Sequence, residues 1–186
     1  TKIKCYVNKK QLGPFLNKLN ACSKATNKWI ALIDSDNFAD LNYFEVASTY
    51  IKNTDLSNNT ILSPCRASPR YIFDNLQNYI IKKNDLKNIR NIKNLKLLMN
   101  TGNYIINKYL IENLKLEENI NYEHTSCSDV IYFNTLCFEQ LNINFHIVKD
   151  LIYYHKKHNN SIYKLTHTIP DVKKFQQYII NRFNNL

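Results

Sequence analysis

Glycine and proline are scarce in this chain: only two glycines and four prolines occur among 186 residues. Linkers between domains are usually rich in glycine, proline or serine, so nothing in the sequence marks a domain boundary. No apolar run approaches the roughly 20 residues that a membrane-spanning helix needs. With 44% hydrophobic and 12% aromatic residues, the chain has enough apolar material for a core. We therefore expect one domain over residues 1–186, without a membrane span.

Cysteine is present five times, but no two cysteines form a C-x-x-C pair. The odd number and irregular spacing argue against a disulfide framework and against a zinc knuckle. We expect reduced and mostly buried thiols, in a cytoplasmic compartment. The cysteines are at positions 5, 22, 65, 127 and 137.

The formal net charge is +10. A basic balance is compatible with nucleic acid, an anionic membrane or a phosphate-bearing substrate as partner. However, the lysines are spread along the chain, and the abundance of asparagine, lysine, isoleucine and tyrosine is typical of an AT-rich genome such as that of a giant virus. In a viral setting the compartment would be the host cytoplasm. No recognised RNA- or DNA-binding motif is present, so we expect nucleic acid not to be the partner.

Strand-like and helix-like segments alternate in the first half of the chain, which predicts an α/β fold. Helical spacing of apolar residues predicts amphipathic helices over residues 15–25, 41–53, 128–142 and 171–186 and one or two helices within 71–98. Apolar runs predict strands over residues 3–7 and 28–34, and one that begins at residue 60 and ends at Pro64. Residues 145–161 are predicted to form one or two strands that end in a polar, histidine-containing stretch. Residues 100–114 are predicted to form a turn at Gly102, a short strand and a helix.

The stretch WIALIDSDNF, residues 29–38, ends an apolar run at two aspartates, Asp34 and Asp36. The run from residue 28 to 34 is typical of a strand buried on both faces. Two carboxylates at the end of such a strand suit Mn²⁺ or Mg²⁺, and ligands of open α/β sheets bind at the carboxyl ends of strands. The alternative is an ordinary turn, because aspartate and serine are common turn residues.

The segment from residue 16 to 53 resembles the central part of family 2-type glycosyltransferases of the GT-A fold. That pattern has an asparagine, an alanine-containing helix turn, an apolar strand, Leu-Asp-x-Asp followed by Asp or Asn, and a second helix. The matching residues are Asn20, Ala21, Ala25, Asn27, Trp29, Ile30, Leu32, Asp34, Asp36 and Asn37. The resemblance implies a GT-A-like mixed sheet flanked by helices. It also implies a reduced set of N-terminal strands, since only TKIKCYVNKK precedes the first helix.

Two later segments resemble motifs of the same family. CSDVIYFNTLCFEQLN is similar to the x-Glu-Asp motif and its helix, which implies that Asp129 is the catalytic base, although Ser128 stands where glutamate is usual. HKKHNNS is similar to a late Arg-x-His-x-x-Ser stretch, which implies His158 as a further metal ligand and His155 as the second choice. A solvated surface histidine is the alternative for each.

Two more pairs of residues are candidates for contacts with the substrates. NTGNYIINK, residues 100–108, resembles the segment that approaches donor sugar and acceptor, where Gly102 would allow close approach of the backbone and Asn103 would bind a sugar hydroxyl. The alternative is a simple strand-entry turn. Arg66 and Arg70 could pair with pyrophosphate oxygens, or they could belong to a solvated loop.

The resemblance implies transfer of a sugar from a UDP- or GDP-sugar to a hydroxyl of a glycan or protein, with inversion and with Mn²⁺ or Mg²⁺ as cofactor. Asp34 and Asp36 would hold the metal and, through it, the diphosphate. Two other functions stay open at this point. One is a sugar-nucleotide-binding domain without activity, and the other is a basic nucleic-acid-binding module.

Overall fold

The structure is a computed structural model, and it describes residues 3–69, 71–89, 95–156 and 161–186. The helices are α1 (Gly13–Ser23), α2 (Tyr43–Asn53), α3 (Leu86–Ile89), α4 (Leu95–Leu98), α5 (Lys108–Asn113), α6 (Asp129–Leu141), α7 (Ile162–Thr166) and α8 (Pro170–Asn184). The strands are β1 (Trp29–Ala31), β2 (Phe38–Ala39), β3 (Thr60–Ser68), β4 (Tyr71–Ile72), β5 (Ile80–Ile81), β6 (Ile105–Asn107) and β7 (Asn144–Tyr154). Short 3₁₀ helices occupy Asp74–Leu76, Lys83–Asp85 and Tyr122–Cys127.

The strands form one mixed sheet with the order β1-β6-β3-β7-β2. The long strands β3 and β7 are parallel, whereas β6 lies antiparallel to both β1 and β3. The short strands β4 and β5 pair with β3 and β7. The α/β class predicted from the sequence is thus confirmed, as a curled mixed sheet flanked by helices. The GT-A fold stays a prediction.

Helices cover both faces of the sheet because the side chains of a strand alternate between its faces. On β3, Ile61 belongs to the larger apolar cluster, which also contains side chains of α1, α6 and α8. The next residue, Leu62, belongs to a smaller cluster that includes Tyr43 and Ala47 of α2. Helix α6 forms the centre of the larger cluster, since every residue from 131 to 138 is buried.

Most of the predicted helices are present near their predicted bounds. Helices α1, α2, α6 and α8 occur where the apolar spacing indicated them, and residues 100–114 contain the predicted turn, strand β6 and helix α5. In α8, the predicted apolar side includes Ile179 and Phe183, and both are buried. These segments were predictable because each has a helical period longer than two turns or a clear turn residue.

Four predictions about strands and helices were wrong. Residues 3–7 form no strand, and Ile3 and Val7 are almost fully exposed, because no neighbouring strand pairs with them. Pro64 does not end β3; the strand continues past it with a shift of register against β7, an irregularity that accommodates a residue without an N–H. Strand β1 is not buried on both faces, since it lies at one end of the sheet order and Ala31 is exposed.

The fourth error concerns residues 71–98, which the sequence predicted to contain one or two helices. Their described part instead consists of the short strands β4 and β5, two 3₁₀ helices and the single-turn helices α3 and α4. Pairing of Ile80 and Ile81 with β7 explains the difference, because sheet contacts outweigh a weak local preference for helix.

All five cysteines are free, with four buried and Cys5 exposed, as the irregular spacing predicted. No helix within the described part of the chain is both long and apolar enough to cross a membrane.

Candidate functional site

Asp34 lies just beyond the carboxyl end of β1, where the chain leaves the sheet. The backbone N–H of Leu32 donates to the carbonyl of Tyr104, and the N–H of Asp34 donates to Oδ1 of Asn103 at 2.8 Å. A turn follows, in which the N–H of Asn37 donates to the carbonyl of Asp34 at 3.0 Å. Asp36 lies within this turn and is partly exposed. The two aspartates are therefore presented on a turn that is fixed from the side of β6.

Lys18 of α1 connects Asp34 with Asp129. Its Nζ atom lies 3.1 Å from Oδ1 of Asp34 and 3.0 Å from Oδ2 of Asp129. The two aspartates come from separate motifs of the sequence and from different elements, the end of β1 and the start of α6. Both reach one ammonium group, so the structure brings these two predicted site residues together.

The position of Lys18 follows from the helical period of α1. Phe15 and Cys22 are the buried residues of this helix, and Lys18 stands three residues after the first and four before the second. Phe15 packs against Tyr122 and Tyr132, with ring centroids 5.5 and 4.9 Å away. Lys18 therefore lies on the side of α1 that packs against the rest of the protein.

The charge of Lys18 is stabilised where it lies. Burial acts to lower the pKa of the ammonium group, but the negative charges of Asp129 and Asp34 and its hydrogen bonds to them outweigh burial, so the pKa lies above its ordinary value. Lys18 is consequently protonated across the physiological range. The candidate site contains its own permanent cation.

Asp129 is the first residue of α6 and is preceded by Ser128. Its side chain is 14% exposed, and its carboxylate lies at the positive end of the helix dipole. The neighbouring N–H of Ile131 donates to Oδ1 of Asn100 at 3.2 Å, which ties the start of α6 to the segment before β6. Asp129 is therefore held in place by both its helix and Lys18.

The segment 101–103 lies between the two aspartates and has a constrained backbone. Gly102 and Asn103 both have positive φ angles, +69° and +55°. The hydroxyl groups of two buried tyrosines hold this segment: Tyr43 donates to the carbonyl of Asn103 at 2.7 Å, and Tyr153 donates to that of Thr101 at 2.9 Å. The pKa of each tyrosine is raised, mainly by burial, so both hydroxyl groups remain protonated and can donate.

Two buried polar atoms beside the aspartates lack a hydrogen bond to any described group. Asn103 is 3% exposed, and while its Oδ1 holds Asp34, its Nδ2 has no acceptor of ordinary geometry. The Oγ atom of Ser128, next to Asp129, is likewise buried and without a partner. Buried polar atoms without a partner are uncommon in proteins, and both of these atoms are closed to solvent in the structure.

The segment that follows β7 contacts the turn that carries Asp36. The N–H of Lys156 donates to Oδ1 of Asn37 at 3.1 Å. The ring of His155 contacts Tyr71 and Tyr153, with centroids 5.9 and 6.5 Å away. His158, the preferred histidine of the sequence prediction, lies outside the described residues.

Of the two predicted arginines, the structure describes only Arg66. Arg70 lies outside the described residues. Arg66 is bidentate to Asp74: its Nε donates to Oδ1 at 2.7 Å, and Nη2 pairs with Oδ2. This exposed ion pair corresponds to the alternative interpretation of Arg66, that of a solvated surface residue.

The residues at the turn suit a divalent cation in type, although they supply few ligands. Carboxylate oxygens are the donors that Mg²⁺ and Mn²⁺ prefer, and Mg²⁺ is commonly held by one or two carboxylates plus substrate phosphates. The ammonium group on Asp34 is a cation already held there. Among the described residues, no group of three His, Cys, Asp or Glu side chains is arranged around a common point. Two carboxylates on this turn would leave the remaining ligand positions of such a cation to water or to a bound phosphate.

A separate cavity of about 520 Å³ lies between α2 and β7. Its lining includes Glu45, Thr49, Tyr50 and Lys149, but none of the predicted site residues. The predicted site therefore lies outside this cavity.

Sequence reasoning missed Lys18, Tyr43 and Tyr153. The spacing of Lys18 from Phe15 and Cys22 was the signal for a lysine on the packed side of α1. No comparable signal identified the tyrosines, because an aromatic residue within an apolar segment is ordinarily a core residue.

No protein-family model matches the chain, and no curated protein matches its sequence.

Proposed function

We propose that this protein transfers a sugar from a UDP- or GDP-sugar to a hydroxyl group of a glycan or protein acceptor, with inversion. The observation that carries the proposal is the shared contact of Asp34 and Asp129 with Lys18, at 3.1 and 3.0 Å. The resemblance to family 2-type glycosyltransferases implies that these two aspartates belong to one site, and their common contact with Lys18 supports that implication.

In this proposal Asp34 and Asp36 hold a divalent cation, Mn²⁺ or Mg²⁺. The cation, when bound, neutralises the charge that develops on the leaving diphosphate. Asn103 fixes the turn by accepting from the N–H of Asp34, which holds Asp34 in place for the cation.

Asp129 acts as the general base. Its carboxylate accepts the proton of the acceptor hydroxyl as the oxygen attacks the anomeric carbon, which requires hydrogen-bond reach between the two oxygens. Lys18 occupies one oxygen of this carboxylate, Oδ2. The other oxygen, Oδ1, is the atom that takes the proton.

The test is an assay of donor consumption with a panel of UDP- and GDP-sugars, with Mn²⁺, with Mg²⁺ and with a chelator. The variants are Asp36→Ala, Asp129→Asn and, as a control, Asp55→Asn, which removes an exposed acid elsewhere. We expect metal-dependent turnover by the wild type and the control and its loss in both site variants. Metal-dependent binding of donor without turnover would indicate a sugar-nucleotide-binding domain instead, and absence of both would refute the proposal.

A further inference from the structure

We propose that Lys18 is the resident counter-ion of Asp34 and Asp129, and that a divalent cation binding at Asp34 displaces its ammonium group from that residue. This inference rests on the proposed function, because it takes Asp34 as the residue that binds the cation. It adds a role for a lysine that no part of the motif comparison identified.

The charges of the three residues explain why a counter-ion is needed. Two carboxylates that approach one point repel each other, and the repulsion grows as water is removed. The ammonium group lies within hydrogen-bond distance of one oxygen of each. Lys18 therefore allows Asp34 and Asp129 to lie close together in the absence of a metal, and the trio retains a formal charge of −1.

The distances explain why a metal and Lys18 compete. A Mg²⁺ ion binds a carboxylate oxygen at about 2.1 Å, while Nζ of Lys18 lies 3.1 Å from Oδ1 of Asp34. A divalent cation on that oxygen would be within about 5 Å of the ammonium group, where the two positive charges repel strongly. The favourable outcome is that the lysine leaves Asp34.

Lys18 has a place to move to. Its contact with Oδ2 of Asp129 does not involve Asp34, and its side chain is about one-third exposed and has four rotatable bonds. Loss of one contact thus leaves the lysine paired with Asp129. The N–H group released from Asp34 becomes available to an oxygen of the bound diphosphate.

The experiment measures Mn²⁺ binding by calorimetry in the absence of nucleotide. It compares the wild type with Lys18→Met, which removes the competing charge, and with Lys18→Arg, which keeps it. Lys24→Met is the matched control, because it removes the same charge from an exposed residue directly after α1. We expect Lys18→Met to bind Mn²⁺ about tenfold more tightly than the wild type, and Lys18→Arg and Lys24→Met to differ from it by less than about twofold.

The inference is wrong if Lys18→Met binds Mn²⁺ no more tightly than Lys24→Met. Should Lys18→Met fail to fold, the double variant Lys18→Met/Asp129→Asn keeps the formal charge of the trio at −1 and is compared with Asp129→Asn alone. Equal affinity of these two variants would contradict the inference, and tighter binding by the double variant would support it.

A second arm adds UDP- and GDP-sugars to the same samples. Tighter Mn²⁺ binding by Lys18→Met without any donor binding supports the role of Lys18 and contradicts the glycosyltransferase proposal. Donor binding that depends on Mn²⁺, with no effect of Lys18→Met on the affinity for Mn²⁺, supports the glycosyltransferase proposal and contradicts the role of Lys18. The failure of one proposal can therefore be distinguished from the failure of the other.

Discussion

The side chain of Asn103 holds the backbone of Asp34: its Oδ1 accepts from the N–H of Asp34 at 2.8 Å, although the two residues are 69 positions apart. Asn103 has a left-handed backbone, with φ of +55°, and is almost fully buried. Asparagine tolerates this conformation better than other residues with a side chain, and it also supplies the acceptor. One residue thus connects the segment before β6 to the turn that carries both aspartates.

Replacing Asn103 by alanine is expected to reduce the free energy of unfolding by about 2–4 kcal/mol. The change removes a buried hydrogen bond to Asp34 and puts alanine in a left-handed conformation, and each effect is worth about 1–2 kcal/mol. Urea-induced unfolding followed by circular dichroism measures the loss.

Asn142→Ala is the matched control for this substitution. Asn142 also has a positive φ, +47°, at the end of α6, but it uses its backbone carbonyl to accept from Asn59. We expect its loss of stability to be about 1 kcal/mol, from backbone strain alone. Equal losses in the two variants would show that the hydrogen bond from Asp34 contributes nothing.

Gly102→Ala is expected to destabilise the protein and to disturb the site. Gly102 has a φ of +69°, and an added methyl group would lie 3.3 Å from Cγ2 of Val130 on α6. We expect a loss of about 1–2 kcal/mol from the backbone conformation, together with a smaller loss from the tight contact. Thermal unfolding of Gly102→Ala and of Gly102→Ala/Val130→Ala separates the two, since only the contact is relieved in the double variant. Full recovery in the double variant would argue against backbone strain.

His146 is expected to make the stability depend on pH. It lies on β7, is 5% exposed, and its Nδ1 is 3.0 Å from the hydroxyl of Tyr50. Burial, and then the charge of Lys82, lower the pKa of His146 to about 4 from its ordinary 6.5. The unfolded chain therefore binds the proton first as pH falls. This contribution of His146 to the free energy of unfolding is fully present above pH 6.5. It is lost as the pH falls from 6.5 to about 4, and the total loss is about 3 kcal/mol.

His146→Gln tests this expectation, because glutamine can accept from Tyr50 but does not titrate. Its free energy of unfolding should decrease less than that of the wild type between pH 6.5 and 4. His124→Gln removes a histidine that is not buried and should leave the slope of the wild type unchanged. A His146→Gln protein with the same slope as the wild type would contradict the assignment.

The sequence predicted the helices of this fold better than its strands. A helix such as α6 has an apolar period that is visible over 13 residues, whereas β4 and β5 have two residues each. Strands of that length exist only because β3 and β7 offer them edges, and edges depend on residues distant in the sequence. The same reasoning explains the error at residues 3–7, which have strand-forming side chains but no edge to join.

The candidate site divides in a similar way. The resemblance indicates Asp34, Asp36 and Asp129 because their residue types recur in a motif with fixed order, and their roles stay predictions. Lys18, Tyr43 and Tyr153 act through contacts with backbone groups or carboxylates of other elements, and only the folded chain brings these together. Lys18 alone had a detectable signal, as a charged residue in the apolar period of α1.

The most direct test of the account is a crystal structure with UDP or GDP and Mn²⁺, recorded near the manganese absorption edge. We predict an anomalous peak at bonding distance from Asp34 and Asp36, in contact with the diphosphate, with Nζ of Lys18 moved away from Asp34 and still paired with Asp129. A peak at some other group of residues, or a nucleotide bound away from Asp34, would contradict the central claim.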